Sequence, residues 1–161
     1  MAVAKRQGRL HRNFQGYSTQ PDCDLIGLGV SAIGRVGPIY GQNPETLDDY
    51  YDRLNQGRLP VVRGFALSRD DLLRRTVIMA LMCQGQLQFE PVELAYLIDF
   101  RAYFSSELEA LRELVDQGLV TVSDSDIQVT LSGRFYVGAI AMVFDRYVQA
   151  DRNRERFFKI I

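Results

Sequence analysis

The stretch that most restricts what this chain can become is Leu119-Val120-Thr121-Val122, then Ser123-Asp124-Ser125-Asp126, then Ile127-Gln128-Val129-Thr130. Short runs rich in β-branched residues, separated by turn-formers, predict an antiparallel hairpin. Three short helical segments precede it: one after Glu90-Pro91, one around Asp99 to Phe104, and one in which Ser106 caps Leu108, Leu111, Leu114 and Val115 ahead of Gly118. Helices running into such a hairpin predict a winged-helix core.

The flanks extend this reading. Ser68 is expected to cap a helix with Asp70 and Asp71 in its first turn, and Leu72, Leu73, Val77, Ile78, Leu81 and Met82 recur at helical spacing on a face that has to pack. Asn43-Pro44-Glu45 reads as a capped start of another helix, running to about Asn55 and stopping at Gly57, with Pro60 to Leu67 extended after it. One long last helix is expected from Ser132 to about Val148, carrying Phe135, Ala139, Ile140, Val143, Phe144 and Tyr147, with the tail to Phe157 and Phe158 docking as an extra turn. Upstream, Lys5 to Ser18 reads as polar loop, whereas Leu25 to Val30 is a continuous apolar run of the kind buried on both faces of a parallel sheet. Neighbours for such a strand are not found nearby. The expected organisation is therefore a terminal strand and loop of a larger domain over 1–42 and a mainly helical C-terminal domain with a winged-helix core over 43–161, an α+β fold that is mainly α.

Charge limits the function classes. Nineteen basic residues stand against twenty acidic ones, so the chain has no bulk attraction for nucleic acid or an anionic membrane. The helix before the hairpin carries Glu107, Glu109, Glu113 and Asp116 against Arg112, and the turn adds Asp124 and Asp126, all repelled by phosphate. A nucleic-acid partner is not expected. Cys23 and Cys83 form no CxxC, which argues against a disulfide framework or a local metal clip and suits a reducing, cytoplasmic setting. Met1 to Gly8 lacks the apolar core of a signal peptide, and no run approaches the roughly 18 apolar residues of a membrane span.

Several single features have a chemical and a plain reading. Gly27-Leu28-Gly29-Val30-Ser31-Ala32 fits the GxGxxA dinucleotide pattern, but Gly34, Gly37 and Pro38 break the stretch that would have to be a helix, so close backbone packing is expected instead. His11 is the lone histidine and has no obvious catalytic partner. Arg9, Arg12, Arg35 and Arg63 have the planar forks that bind carboxylates, and each reads equally well as a surface arginine. Asp145-Arg146-Tyr147 with Arg152, Arg154, Arg156 and Lys159 reads as a solvated basic helix end.

Taken in order, Arg12-Asn13-Phe14-Gln15-Gly16-Tyr17, Cys23 to Ile33, Leu67 to Asp71, Asp116 to Val120, Ile127 to Thr130 with Gly133-Arg134, and Phe144-Asp145-Arg146-Tyr147 resemble the oxygen-independent coproporphyrinogen III oxidase family. The resemblance runs from about Gly8 to the end. It implies a radical S-adenosylmethionine enzyme of haem biosynthesis: a partial (β/α) barrel, to which 1–42 would contribute its last strand and loop, with a CxxxCxxC loop holding a [4Fe-4S] cluster. There S-adenosylmethionine is cleaved to a 5'-deoxyadenosyl radical that starts the oxidative decarboxylation of coproporphyrinogen III to protoporphyrinogen IX. The residues matching the family's second S-adenosylmethionine pocket are Phe14, Gln15 and Ile33, with Arg12, Tyr17 and Arg35 as neighbours. No CxxxCxxC occurs in this chain, so the resemblance implies a C-terminal part that binds no cluster, holds no catalytic residue and is inactive alone. Exposed barrel surface would favour self-association, and the C-terminal domain would cover the mouth of the active site. Haem-chaperone-like relatives, which lack the Phe-Gln-Gly-Tyr string, and a free-standing winged-helix interaction module are the alternative readings.

Overall fold

In this computed structural model, which describes residues 2–13, 16–20 and 23–152, the chain begins with α1 (Ala2–Arg6) and a hairpin of β1 (His11–Asn13) and β2 (Gly16–Ser18). A second hairpin, β3 (Ile33–Val36) and β4 (Ile39–Gln42), is followed by α2 (Leu47–Asn55), β5 (Arg63–Ala66) and the long α3 (Arg69–Gln84). Then come β6 (Gln86–Gln88), α4 (Phe89–Tyr96), α5 (Phe100–Tyr103), α6 (Ser105–Ala110), α7 (Arg112–Asp116), β7 (Val120–Val122) and β8 (Asp126–Val129). A 3-10 turn at Gly133–Tyr136, α8 (Val137–Met142) and α9 (Arg146–Arg152) complete the described chain.

The centre is α3. Ser68 and Asp71 form a reciprocal capping box, the Ser68 hydroxyl accepting from the Asp71 amide and the Asp71 carboxylate accepting from the Ser68 amide at 2.8 Å. Leu73, Val77 and Leu81 on its inner face are buried against Phe89, Phe100, Phe104, Leu111, Ile127 and Phe144. Ring centroids of Phe89 and Phe100 lie 4.2 Å apart, those of Phe100 and Phe104 4.8 Å, and those of Phe104 and Phe144 5.4 Å. Each fully buried Phe contributes roughly 1.5–3 kcal/mol, so this aromatic file dominates the local stability.

The hairpin expected over 119–130 is present as β7–β8, antiparallel, with Val122 opposite Ile127. β6 joins it on the other edge of β8, a strand that the sequence reading does not separate from the end of α3.

Upstream the outcome differs. Among the described residues Leu25 to Val30 has no parallel neighbour: Leu25 makes one antiparallel bridge to Arg35, while Ile26 and Leu28 are 69% and 82% exposed. The sheet that forms instead is antiparallel, in the order β3-β4-β5. Gly37 and Pro38, read as breakers, supply its two-residue turn, because residues that stop a helix are the ones that close a hairpin. Gly34 permits the approach of the two segments, since a Cβ there would lie 2.7 Å from the Leu25 carbonyl oxygen.

Helix starts also shift. Thr46, not Asn43, caps α2, its hydroxyl accepting from the Asp49 amide. Asn43 is buried, and its amide nitrogen donates to the carbonyls of Gly27 at 3.0 Å and Gly29 at 2.8 Å. Ser106 does not cap a helix; it lies inside α6, and its hydroxyl bonds the Glu107 carboxylate. The single helix expected from Ser132 to Val148 is broken twice. Gly133 lies so close to Leu119 that a Cβ would meet the Leu119 carbonyl oxygen at 1.8 Å, which fixes a tight turn there. The Asp145 carboxylate accepts from the Tyr147 and Val148 amides and restarts the chain as α9. Phe135, counted among the apolar residues of that expected helix, lies in the 3-10 turn and is 89% exposed. Phe157, Phe158, Arg154, Arg156 and Lys159 lie outside the described residues.

Candidate functional site

A cleft of about 770 Å³ lies between the β1–β2 hairpin, the β3–β4 hairpin, the middle of α3 and the start of α9. The hairpin is held against α3: the Gln84 amide donates to the Leu10 carbonyl at 3.1 Å, and Leu10 and Ala4 are buried. The floor is apolar, with Leu25, Leu67, Ile78 and Met79. The walls are cationic. Arg12, Arg35, Arg74, Arg75 and Arg146 face Asp71 and Asp145 among the described lining residues.

Two of these arginines belong to a network joining α3, α6 and α9. Arg74 pairs with Asp70 at 3.0 Å and Glu107 at 2.7 Å, and donates to the Phe144 carbonyl at 3.1 Å. Arg146 pairs with Asp70 at 2.9 Å and Asp71 at 3.0 Å, so it is not the solvated helix end expected of it. Tyr103 donates to Asp70 at 2.7 Å, and Tyr147 to Asp71 at 3.0 Å. Desolvation opposes the charged form of Asp70, but the Tyr103 hydroxyl and the Arg74 and Arg146 guanidiniums outweigh it and hold its pKa below the ordinary carboxylate value. Asp71 is likewise lowered: burial is overcome by the Ser68 hydroxyl and amide, the Tyr147 hydroxyl and Arg146. The Tyr103 hydroxyl moves upward, because losing its proton would put an anion against Asp70.

The other three arginines are held differently. Arg35 donates to the Gly37 carbonyl at 3.1 Å and the Cys23 carbonyl at 3.0 Å. Arg75 donates to the Tyr40 hydroxyl at 3.2 Å. Arg12 lies over the Tyr17 ring at 5.5 Å and contacts the Met82 sulfur at 3.2 Å.

Of the residues singled out from the sequence, Arg12 and Arg35 meet in this cleft, with His11 and Cys23 beside them. Arg63 is elsewhere, paired with Glu45 at 3.1 Å, and Arg9 bonds Gln7. Ile33, the first residue of β3, lines a separate cleft of about 480 Å³ with Ile26, Gly27 and Ala32; Leu25 borders both clefts. Phe14 and Gln15 lie outside the described residues, between Asn13 and Gly16, which pair across β1–β2. The Gly27 to Ala32 stretch leads into β3 rather than a helix, and its Gly29 amide donates to the Tyr50 hydroxyl at 3.1 Å. The sequence reading missed the Asp70, Arg74, Glu107 and Arg146 network; only the four-residue spacing of Asp70 and Arg74 hints at it.

Among the described residues no group of three or more His, Cys, Asp or Glu could hold a metal ion. Cys83 is buried in the core and Cys23 exposed, so these thiols do not fit an iron–sulfur cluster. Among the described residues no helix is long and apolar enough to cross a membrane.

Comparison with known proteins gives consistent matches. Residues 67–136 match the family described as HemN C-terminal domain. The chain is 44% identical over 161 residues to the oxygen-independent coproporphyrinogen III oxidase of Escherichia coli (strain K12), covering all of this chain and 35% of that protein. It is 43% identical over 165 residues to the Synechocystis sp. protein of the same name, again covering 100% of this chain and 35% of the relative. Among solved structures, the coproporphyrinogen III oxidase (HemN) from Escherichia coli, described as a radical SAM enzyme, superposes with a TM-score of 0.87 at 46% identity, over 91% of this chain and 34% of that one. The chain thus spans about a third of the length of these relatives.

Proposed function

We propose that this chain, which corresponds to the C-terminal region of oxygen-independent coproporphyrinogen III oxidase, forms one wall and the cover of the site in which that enzyme decarboxylates coproporphyrinogen III to protoporphyrinogen IX. The observation that carries this reading is the arginine-walled cleft with an apolar floor. A tetrapyrrole with propionate arms needs that pairing: apolar surface for the ring system and cations for the carboxylates.

Phe14, Gln15 and Ile33 are assigned to a pocket for S-adenosylmethionine, a ring face, an amide and an apolar wall suiting a small amphipathic molecule. The [4Fe-4S] cluster, which supplies the electron for radical formation in such enzymes, is assigned outside the described residues, because their donor set does not fit it. What this chain contributes is binding and enclosure. A winged-helix cover built on α3 would keep water from a radical intermediate. The reaction is assigned to the cytoplasm, without nucleic acid or membrane as partner.

The test is a chimaera in which this chain replaces the matching region of the Escherichia coli relative. Anaerobic conversion of coproporphyrinogen III by the chimaera, with none by this chain alone, is the expected result. An inactive chimaera that still binds cluster and S-adenosylmethionine would instead favour the haem-chaperone-like relatives.

A further inference from the structure

Within the cleft, the arginines are not equivalent. Arg74 and Arg146 are neutralised by Asp70, Asp71 and Glu107 at 2.7–3.0 Å, so removing either would strand carboxylates rather than empty a binding position. Arg12 differs. Its guanidinium is oriented by the Tyr17 ring and the Met82 sulfur, both neutral, and among the described residues no carboxylate lies within ion-pair distance of it. It projects from β1 at a mouth where five arginines face two aspartates, on a chain whose net charge is −1. With Arg74 and Arg146 already paired, the Arg12 guanidinium is a positive charge at this mouth that no described carboxylate offsets, and it attracts an anion there.

We infer that Arg12 is a carboxylate-binding residue of this cleft, receiving a propionate arm of the tetrapyrrole or the α-carboxylate of S-adenosylmethionine through its planar fork. The inference rests on the functional reading above and adds to it which side chain meets the ligand's charge. The cation–π contact with Tyr17 and the Met82 contact fix the position of the guanidinium without neutralising it, so its charge stays available to an incoming anion. The hairpin that carries it is anchored on α3 through Leu10 and Gln84, which limits the reorganisation needed on binding.

The test uses the chimaera, after the unsubstituted form has been shown to be active, so that failure of the functional reading and failure of this inference remain distinguishable. Arg12→Gln and Arg12→Lys are compared by KM for coproporphyrinogen III and for S-adenosylmethionine, with circular dichroism as the folding check. In this chain alone, coproporphyrin III and its tetramethyl ester serve as charged and uncharged optical probes. The expected result is a KM raised about tenfold or more in Arg12→Gln and partly recovered in Arg12→Lys, the loss of one charge-assisted pair. A rise for coproporphyrinogen III, accompanied by weaker binding of coproporphyrin III but not of the ester, assigns the propionate. A rise for S-adenosylmethionine alone assigns the α-carboxylate. If both KM values stay within about twofold of the parent in a folded Arg12→Gln protein, the inference is overturned. If that variant fails to fold, Arg12→Lys with both KM values within about twofold of the parent overturns it.

Discussion

The Tyr147 hydroxyl donates to Asp71 Oδ1 at 3.0 Å, tying the first turn of α9 to the first turn of α3 across 76 positions of sequence. Asp71 therefore serves two purposes with one carboxylate: it completes the cap at Ser68 and it anchors the last described helix. Replacing Tyr147 with Phe should cost about 1 kcal/mol, the net worth of one hydrogen bond, whereas Asp71→Ala should cost about 3 kcal/mol by removing the cap at Ser68, the Tyr147 acceptor and one of the two carboxylates that pair with Arg146. Urea unfolding of the two single variants and the double variant checks this. The double variant should lose less than the sum of the singles, and strict additivity would show that the contact contributes nothing.

The same cluster sets a response to acid. Asp70 and Asp71 have lowered pKa values in the folded chain, so the unfolded chain binds more protons than the folded one as pH falls. Their stabilising contribution is complete above the unfolded value of roughly 3.9 and is lost as pH falls through the lowered folded values. The melting temperature should therefore drop steeply below about pH 4, and Asp70→Asn should start lower at neutral pH but fall less steeply. A parent and variant with parallel pH profiles would refute this assignment.

Gly133 and Gly138 form a contrasting pair. A methyl at Gly133 would meet the Leu119 carbonyl oxygen at 1.8 Å, a backbone atom with little freedom to move, while nothing lies within 4 Å of a methyl at Gly138. Gly133→Ala should destabilise by about 3 kcal/mol, and Gly138→Ala, inside a helix, should stabilise by about 0.5 kcal/mol. Thermal unfolding of the two variants decides it: equal effects would mean that the 3-10 turn does not depend on this close approach.

Asn43 donates to two carbonyls, so the chemistry of its replacement matters more than its size. Asn43→Ala should cost about 2 kcal/mol by leaving the Gly27 and Gly29 oxygens unsatisfied. Asn43→Asp should cost at least about 1 kcal/mol more, because a carboxylate would then face two acceptors. If the aspartate variant proves the more stable of the two in urea at neutral pH, the side chain at position 43 does not donate to these two carbonyls.

What could be read from the sequence is what depends on near neighbours. The Ser68–Asp71 box spans three positions, and the 119–130 hairpin is set by its own turn residues, so both are legible. Asn43 misleads because its amide is spent on Gly27 and Gly29, far along the chain, leaving the cap to Thr46. The apolar run Leu25 to Val30 is a different case: hydrophobicity predicts burial, while in this chain Ile26 and Leu28 are exposed, and the bonds that hold the run are the Leu25 bridge to Arg35, the Asn43 contacts and the Gly29 bond to Tyr50. At the site, Arg12 and Arg35 can be suspected singly from their chemistry. That Arg146 is bound to Asp70, 76 residues away, depends on how α3 and α9 pack, and no pattern within either segment contains it.

The anchoring of the β1–β2 hairpin also bears on where this polypeptide can be cut. A border at residue 42 follows the change in sequence character, but Ala4 and Leu10 are buried, and Gln84 of α3 holds the Leu10 carbonyl. Excising 43–161 would leave a bare strip along α3 and remove the Gly27 and Gly29 partners of Asn43. A piece for grafting or for expression that begins ahead of the hairpin keeps both sets of contacts.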